Sequence, residues 1–178
     1  MPLVSAGMGD PITGDQLREV QRPLKDRYGD DPETAQITLE ADGRLDDDIA
    51  CSVQTGSALV KAGLHSGTGG DGTLACSGDM LLQALVACAG VTMRSVATSM
   101  GLDVTGSVHA EGDLDWRGTL AVDKEAPVGF KDIRLRFEVE SAAGDEELET
   151  LQRLTERYCV VFQTLAASPG LSVSMERR

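Results

Sequence analysis

Aromatic side chains are scarce in this 178-residue chain: one Trp, two Tyr and three Phe, 3% of the whole. A single domain of this length can bury a proper core, but that core must be built from Leu, Val, Ala and Met. Histidine is scarcer still, with only His65 and His109, and none of the four cysteines (Cys51, Cys76, Cys88, Cys159) forms a CxxC or CxxH pair. A zinc site is therefore not expected. There is no basic cluster. Sixteen Lys and Arg stand against 29 Asp and Glu, giving a net charge of −13 and a pI near 4.4. That balance argues against a nucleic-acid backbone or an anionic membrane surface as partner. The first residues, MPLVSAGMGDP, carry no basic segment followed by an apolar run, so no secretory leader is expected. A cytoplasmic location, with cysteines reduced at rest, is the matching expectation.

The most apolar stretch is Ser77 to Met100, SGDMLLQALVACAGVTMRSVATSM. From Met80 to Met93 it holds no charge, and only Gln83 and Thr92 are polar. This run is shorter than the ~20 residues a membrane span needs. It reads as a helix buried on nearly all sides in a globular core. Ser77 is the expected N-cap, Asp79 suits the first turn of the helix dipole, and Gly101 supplies the stop. Cys88 sits mid-helix in Ala-Cys-Ala-Gly, where small neighbours let another element approach.

Around this helix the pattern changes repeatedly. Residues 1–34 are polar and broken by Gly and Pro; a short amphipathic helix from Asp15 to Arg27, interrupted or kinked at Pro23, is expected to pack on the domain or on a partner subunit. Gln36–Ala41 alternates like a half-buried strand, and Ile49–Val53 and Ala58–Ala62 continue an antiparallel meander. Leu64–Gly72 (LHSGTGGDG) is a glycine-rich connector without the Gly-Lys-Ser/Thr ending of a phosphate loop. Leu102–Val108 reads as a strand extending toward Leu120. Lys131–Glu140 alternates most clearly, with Ile133, Leu135, Phe137 and Val139 on one face. Asp145 opens a second long helix whose apolar stripe runs Leu148, Leu151, Leu154, Tyr158, Val161, Leu165, and Leu171–Met175 is expected to close the chain as a strand. Strands, helix, strands, helix, strand is the order of an α+β domain, with long helices laid against antiparallel sheet.

On this reading each long helix carries one mid-helix cysteine, Cys88 and Cys159. Helices on one side of a sheet are neighbours, which would bring the two within disulfide reach, ~4.4–6.8 Å between Cα atoms. Two such thiols can reduce a peroxide: one attacks the O–O bond and becomes a sulfenic acid, the other condenses with it. Attack requires a thiolate, and a cation or hydrogen-bond donor must then lower the thiol pKa; Arg94, Arg157, Arg44 and Arg117 are the candidates. The alternative is that all four cysteines only pack, as free cysteines often do. Cys51 and Cys76 are read as structural.

With these features the chain resembles the OsmC/Ohr superfamily, the osmotically inducible protein C and organic hydroperoxide resistance proteins. The resemblance rests on the helix Leu81–Gly90 with its cysteine two residues before a glycine, on the approach Thr68-Gly69-Gly70-Asp71-Gly72, and on Arg157-Tyr158-Cys159-Val160-Val161, 71 residues beyond Cys88. It implies an OsmC-like domain over residues 35–178 behind an N-terminal extension, 1–34. It further implies an intertwined homodimer of antiparallel sheets around two long helices, with active sites at the subunit interface. By resemblance Cys88 is the peroxidatic and Cys159 the resolving thiol, organic hydroperoxides are the substrates, a dihydrolipoyl-type dithiol is the reductant, and no cofactor is bound. The chain departs from the peroxidase branches in three places. Their Glu ten residues before the first cysteine is Gly78 here, with Asp79 adjacent. The Arg that pairs with it has no counterpart in the preceding loop, where Lys61 and His65 are the nearest basic residues. Val160 replaces the common Pro after the second cysteine. A thiol peroxidase serving oxidative-stress defence is the first reading; a non-catalytic binding module for a small apolar or thiol-bearing ligand at the dimer interface is the second.

Overall fold

The computed structural model describes residues 13–36, 43–45, 50–55 and 58–177. Thr13 opens the first helix, α1 (Gly14–Asp30), through a capping box: its hydroxyl accepts from Gln16 N while its own N–H donates to the Gln16 side chain at 2.9 Å. Helix α1 runs through Pro23, three residues longer at its C-terminus than the pattern indicated, and a 3₁₀ turn (Pro32–Ala35) follows. The strand expected over Gln36–Ala41 falls almost entirely outside the described residues.

Strands β1 (Gly43–Leu45), β2 (Ala50–Thr55) and β3 (Ala58–Gly63) form the expected antiparallel meander, and the two-residue β4 (Ala75–Cys76) adds parallel to β3. A second sheet is the antiparallel pair β5 (Thr105–Asp113) and β6 (Asp132–Glu140), in register from Thr105–Glu140 to Asp113–Asp132. At Gly106, φ is +140°, and an added Cβ would lie 1.9 Å from the Glu138 carbonyl oxygen, so only glycine fits. Strand β5 does not continue to Leu120. The Asp115 carboxylate accepts from Arg117 N and starts a one-turn helix, α3 (Trp116–Thr119).

The central helix, α2 (Ser77–Met100), starts one residue earlier than its sequence reading, with Cys76 rather than Ser77 as N-cap, and ends at Gly101 in the left-handed conformation (φ +74°). Its burial differs from expectation. Within one chain a single stripe is covered, Leu85, Ala89, Met93 and Ala97, spaced by four. Val91, by contrast, is 71% exposed. With 24 residues α2 has the length and composition of a membrane span, yet its buried stripe is packed against protein. Gly90 faces Val108 of β5. Met93 and Ala97 join Val104 and Leu151 in the central apolar cluster, flanked by Val96, Met100, Leu102, Phe137 and Leu148. Leu17 and Arg18 of α1 close another side of α2, Arg18 donating to the Ser99 carbonyl at 3.3 Å.

The largest departure lies in the second helical segment. The apolar stripe from Leu148 to Leu165 reads as one helix but folds as two, α4 (Asp145–Tyr158) and α5 (Val160–Ala166), with Cys159 extended between them (φ −74°, ψ 107°). Beyond α5, residues 171–177 are in no strand among the described residues, and Leu171, Val173 and Met175 are 86%, 96% and 97% exposed.

Candidate functional site

The break between α4 and α5 builds the site. Cys159 ends α4, its N–H donating to the Thr155 carbonyl, and begins α5, its carbonyl accepting from Gln163 N, both at 2.9 Å. The Gln163 side chain reaches back to the Glu156 carbonyl at 2.8 Å, satisfying an acceptor that the interrupted helix leaves open. The first amides of α5 are thereby freed and point at the sulfur atoms. Phe162 N lies 3.5 Å from Cys159 Sγ, and the Val160 and Val161 amides face the Cys88 thiol.

Helix α2 brings Cys88 to this point, beside Cys159, with no disulfide between them. The expected juxtaposition is thus present, although Cys159 is a cap and not a mid-helix residue. The two sulfurs are made unequal. Burial pushes the Cys88 pKa up, but the Val161 amide, the Cys159 thiol, the Val160 amide and the Thr92 hydroxyl all stabilise the thiolate, and the net shift is downward. At Cys159, which is 1% exposed, burial again raises the pKa; the hydrogen bond and charge of Cys88 add to it, and the Phe162 amide does not compensate. The arrangement makes half-buried Cys88 the more acidic of the two thiols and the buried Cys159 beneath it the less acidic one.

The activators considered from sequence lie elsewhere. Asp79 stands nine residues before Cys88, so steps of ~100° place it half a turn around α2 and ~13 Å along its axis. It lines a surface cavity with His65, Cys76 and Trp116. Arg94 donates to the Val104 carbonyl. Arg157 lies over the ring of its exposed neighbour Tyr158, 5.7 Å from the centroid. Arg117 is engaged by Asp115 at 2.6 Å and Asp123 at 3.3 Å. The Arg44 side chain is outside the described residues. At Gly78, a Cβ would make only ordinary contacts, 3.5 Å from Phe130 and 3.6 Å from Cys76 Sγ, so space does not exclude a larger residue there.

Sequence reasoning missed both Thr92 and the amides of Val160 and Val161. Thr92 was legible in principle, one helical turn after Cys88 and one of two polar residues in an apolar run. The amides left only a weak trace, two adjacent β-branched residues that lower helix propensity. Thr92→Val, which keeps the shape and removes the donor, is expected to shift the pH dependence of Cys88 alkylation upward. At pH 7 its rate should fall roughly three- to tenfold, the worth of one hydrogen bond. Iodoacetamide labelling followed by mass spectrometry measures this, and an unchanged profile would remove Thr92 from the activating set.

Comparison with known proteins agrees with this architecture. A family model described as OsmC-like protein matches residues 70–174. Among solved structures, the OsmC-like protein of Mycoplasma pneumoniae superposes with a TM-score of 0.63 at 15% identity, covering 75% of this chain and 90% of that one. An OsmC-like protein of unknown function from Vibrio cholerae gives 0.59 at 13% identity, covering 72% and 94%. A hypothetical protein from Aquifex aeolicus gives 0.53 at 16%, covering 75% and 90%. These identities speak to the fold alone. No curated protein matches the chain.

Proposed function

The chain belongs to the OsmC-like protein family, which includes peroxidases, and we propose that it is a thiol-dependent peroxidase that reduces organic hydroperoxides in oxidative-stress defence. The observation that carries this reading is the contact between two unlike thiols, Cys88 with its pKa lowered and Cys159 with its pKa raised.

The Cys88 thiolate attacks one peroxide oxygen. An S–O bond forms, the O–O bond breaks, and the alkoxide leaves and takes a proton to become the alcohol. Cys88 is then a sulfenic acid. Cys159 gives up its proton and attacks the Cys88 sulfur; an S–S bond forms, the S–O bond breaks, and hydroxide departs as water. A dithiol of dihydrolipoyl type returns both cysteines to thiols by two exchanges and is itself oxidised to a disulfide. The amides at the start of α5 supply the thiolate stabilisation at Cys88. The protein works in this proposal as a cytoplasmic homodimer, residues 35–178 forming the OsmC-like domain and 1–34 its extension. Support for the dimer comes from Val91 on α2 and from the alternating Leu171, Val173 and Met175, apolar side chains that one chain leaves bare.

Stoichiometric titration of the reduced protein with cumene hydroperoxide, followed by disulfide mapping, tests the reading. One equivalent consumed and a Cys88–Cys159 bridge are expected. Four intact thiols after exposure to peroxide would overturn it and leave the second reading, a binding module for a small apolar or thiol-bearing ligand, which the glycine at position 78 favours.

A further inference from the structure

A helix running unbroken through Cys159 would direct the Val160 amide to the Glu156 carbonyl, the acceptor four residues back. By the same rule the Phe162 amide would go to the Tyr158 carbonyl. Local sequence does not forbid this. Residues 145–166 contain no Gly or Pro, and the apolar stripe keeps helical spacing across Cys159. The β-branched pair Val160 and Val161 lowers helix propensity only slightly. A contact outside the local pattern must therefore hold the break between α4 and α5.

The Glu156 carbonyl is the acceptor that both forms of the segment need. Here it accepts from Gln163 Nε2 at 2.8 Å. Along a continuous helix these two residues would stand ~10 Å apart, farther than a Gln side chain spans, so this bond belongs to the broken form alone. It has two consequences. The carbonyl that the break would orphan is satisfied, and the acceptor that the Val160 amide would otherwise take is occupied. Gln163 N donates in turn to the Cys159 carbonyl at 2.9 Å, which restarts helical pairing at α5. Phe162 N then lies 3.5 Å from Cys159 Sγ, and α5 packs against α2, the helix that carries Cys88. We propose that Gln163 is a positioning residue: by holding the Glu156 carbonyl it keeps α4 and α5 apart, and so keeps the first amides of α5 aimed at the thiol pair. It acts on the thiols through the backbone. The catalytic meaning of this role rests on the peroxidase reading, which it deepens; the acidity of Cys88 can be measured independently of turnover.

The test is the pH profile of Cys88 alkylation by iodoacetamide in the full chain, with the label located by mass spectrometry. Gln163→Leu keeps the bulk of the exposed side chain and removes the donor. Its rate at pH 7 is expected to fall roughly fivefold, the worth of one hydrogen bond, with the profile moved to higher pH. Gln163→Met, a second variant without the donor, should match it. Val160→Pro provides the control. Proline has no N–H to compete for the Glu156 carbonyl and cannot continue α4. It suits the first position of α5, and Cys159, at φ −74° and ψ 107°, already has the extended conformation that precedes proline. Val160→Pro itself removes one amide at Cys88, so the comparison is made within that background. With the break enforced by the ring, adding Gln163→Leu should change the rate by less than about twofold. A wild-type profile in Gln163→Leu, or a loss of equal size in both backgrounds, would overturn the proposal. Peroxide consumption is read separately: if the wild type leaves cumene hydroperoxide intact, the peroxidase reading has failed, and the alkylation profiles still decide the role of Gln163.

Discussion

Cys88→Ser is expected to lose cumene hydroperoxide consumption by a factor of at least ~10³, the scale on which removing a nucleophile disables an enzyme. The serine hydroxyl has no accessible anion at neutral pH, so amides that stabilise a thiolate have nothing to stabilise there. Cys159→Ser should behave differently. It keeps the Val160 and Val161 amides and the Thr92 hydroxyl around Cys88, so one equivalent of peroxide should still be consumed. The reaction then stops at a sulfenic acid that dimedone traps and mass spectrometry locates at Cys88. A Cys88→Ser protein that consumes peroxide at the wild-type rate would remove the assignment. The same result for both variants would place the chemistry at another thiol.

The second large effect is on stability. Leu151→Ala should cost about 2–5 kcal/mol, the range for deleting a fully buried Leu side chain. Leu151 is 1% exposed and packs with Met93, Ala97 and Val104 at the centre of the apolar cluster. Against a total of ~5–15 kcal/mol this is a substantial fraction, and the midpoint of thermal unfolding should drop by roughly 5–15 °C. The variant bears on function as well, because α4 positions Cys159 against α2. Disulfide formation on titration should therefore slow in Leu151→Ala even below its unfolding temperature. A variant that unfolds within about 2 °C of the wild type would show that this contact is not where the core is held.

Local patterns were informative wherever one face of one element decides the outcome. The alternation of Lys131–Glu140 became β6, the run from Ser77 became α2, and Gly101 ended it as a left-handed residue must. Errors fell where tertiary contacts override local preference. The stripe from Leu148 to Leu165 keeps helical spacing across Cys159, and no Gly or Pro marks an interruption there. A break that exposes amides is worthwhile only if something accepts from them, and the acceptors are two sulfur atoms 71 residues apart in the chain. The search for a cation near Cys88 missed for the same reason. Backbone amides carry no signature in a sequence, and the nearby arginines are occupied with Val104, Tyr158, Asp115 and Asp123.

Composition and periodicity determined the α+β class and the central helix, because these depend on side chains whose burial repeats along the chain. Only the tertiary structure decided which thiol is lowered and which raised, and that the second helical segment breaks at Cys159. Those properties belong to distances between elements far apart in sequence, and electrostatic and hydrogen-bond energies are set by distance.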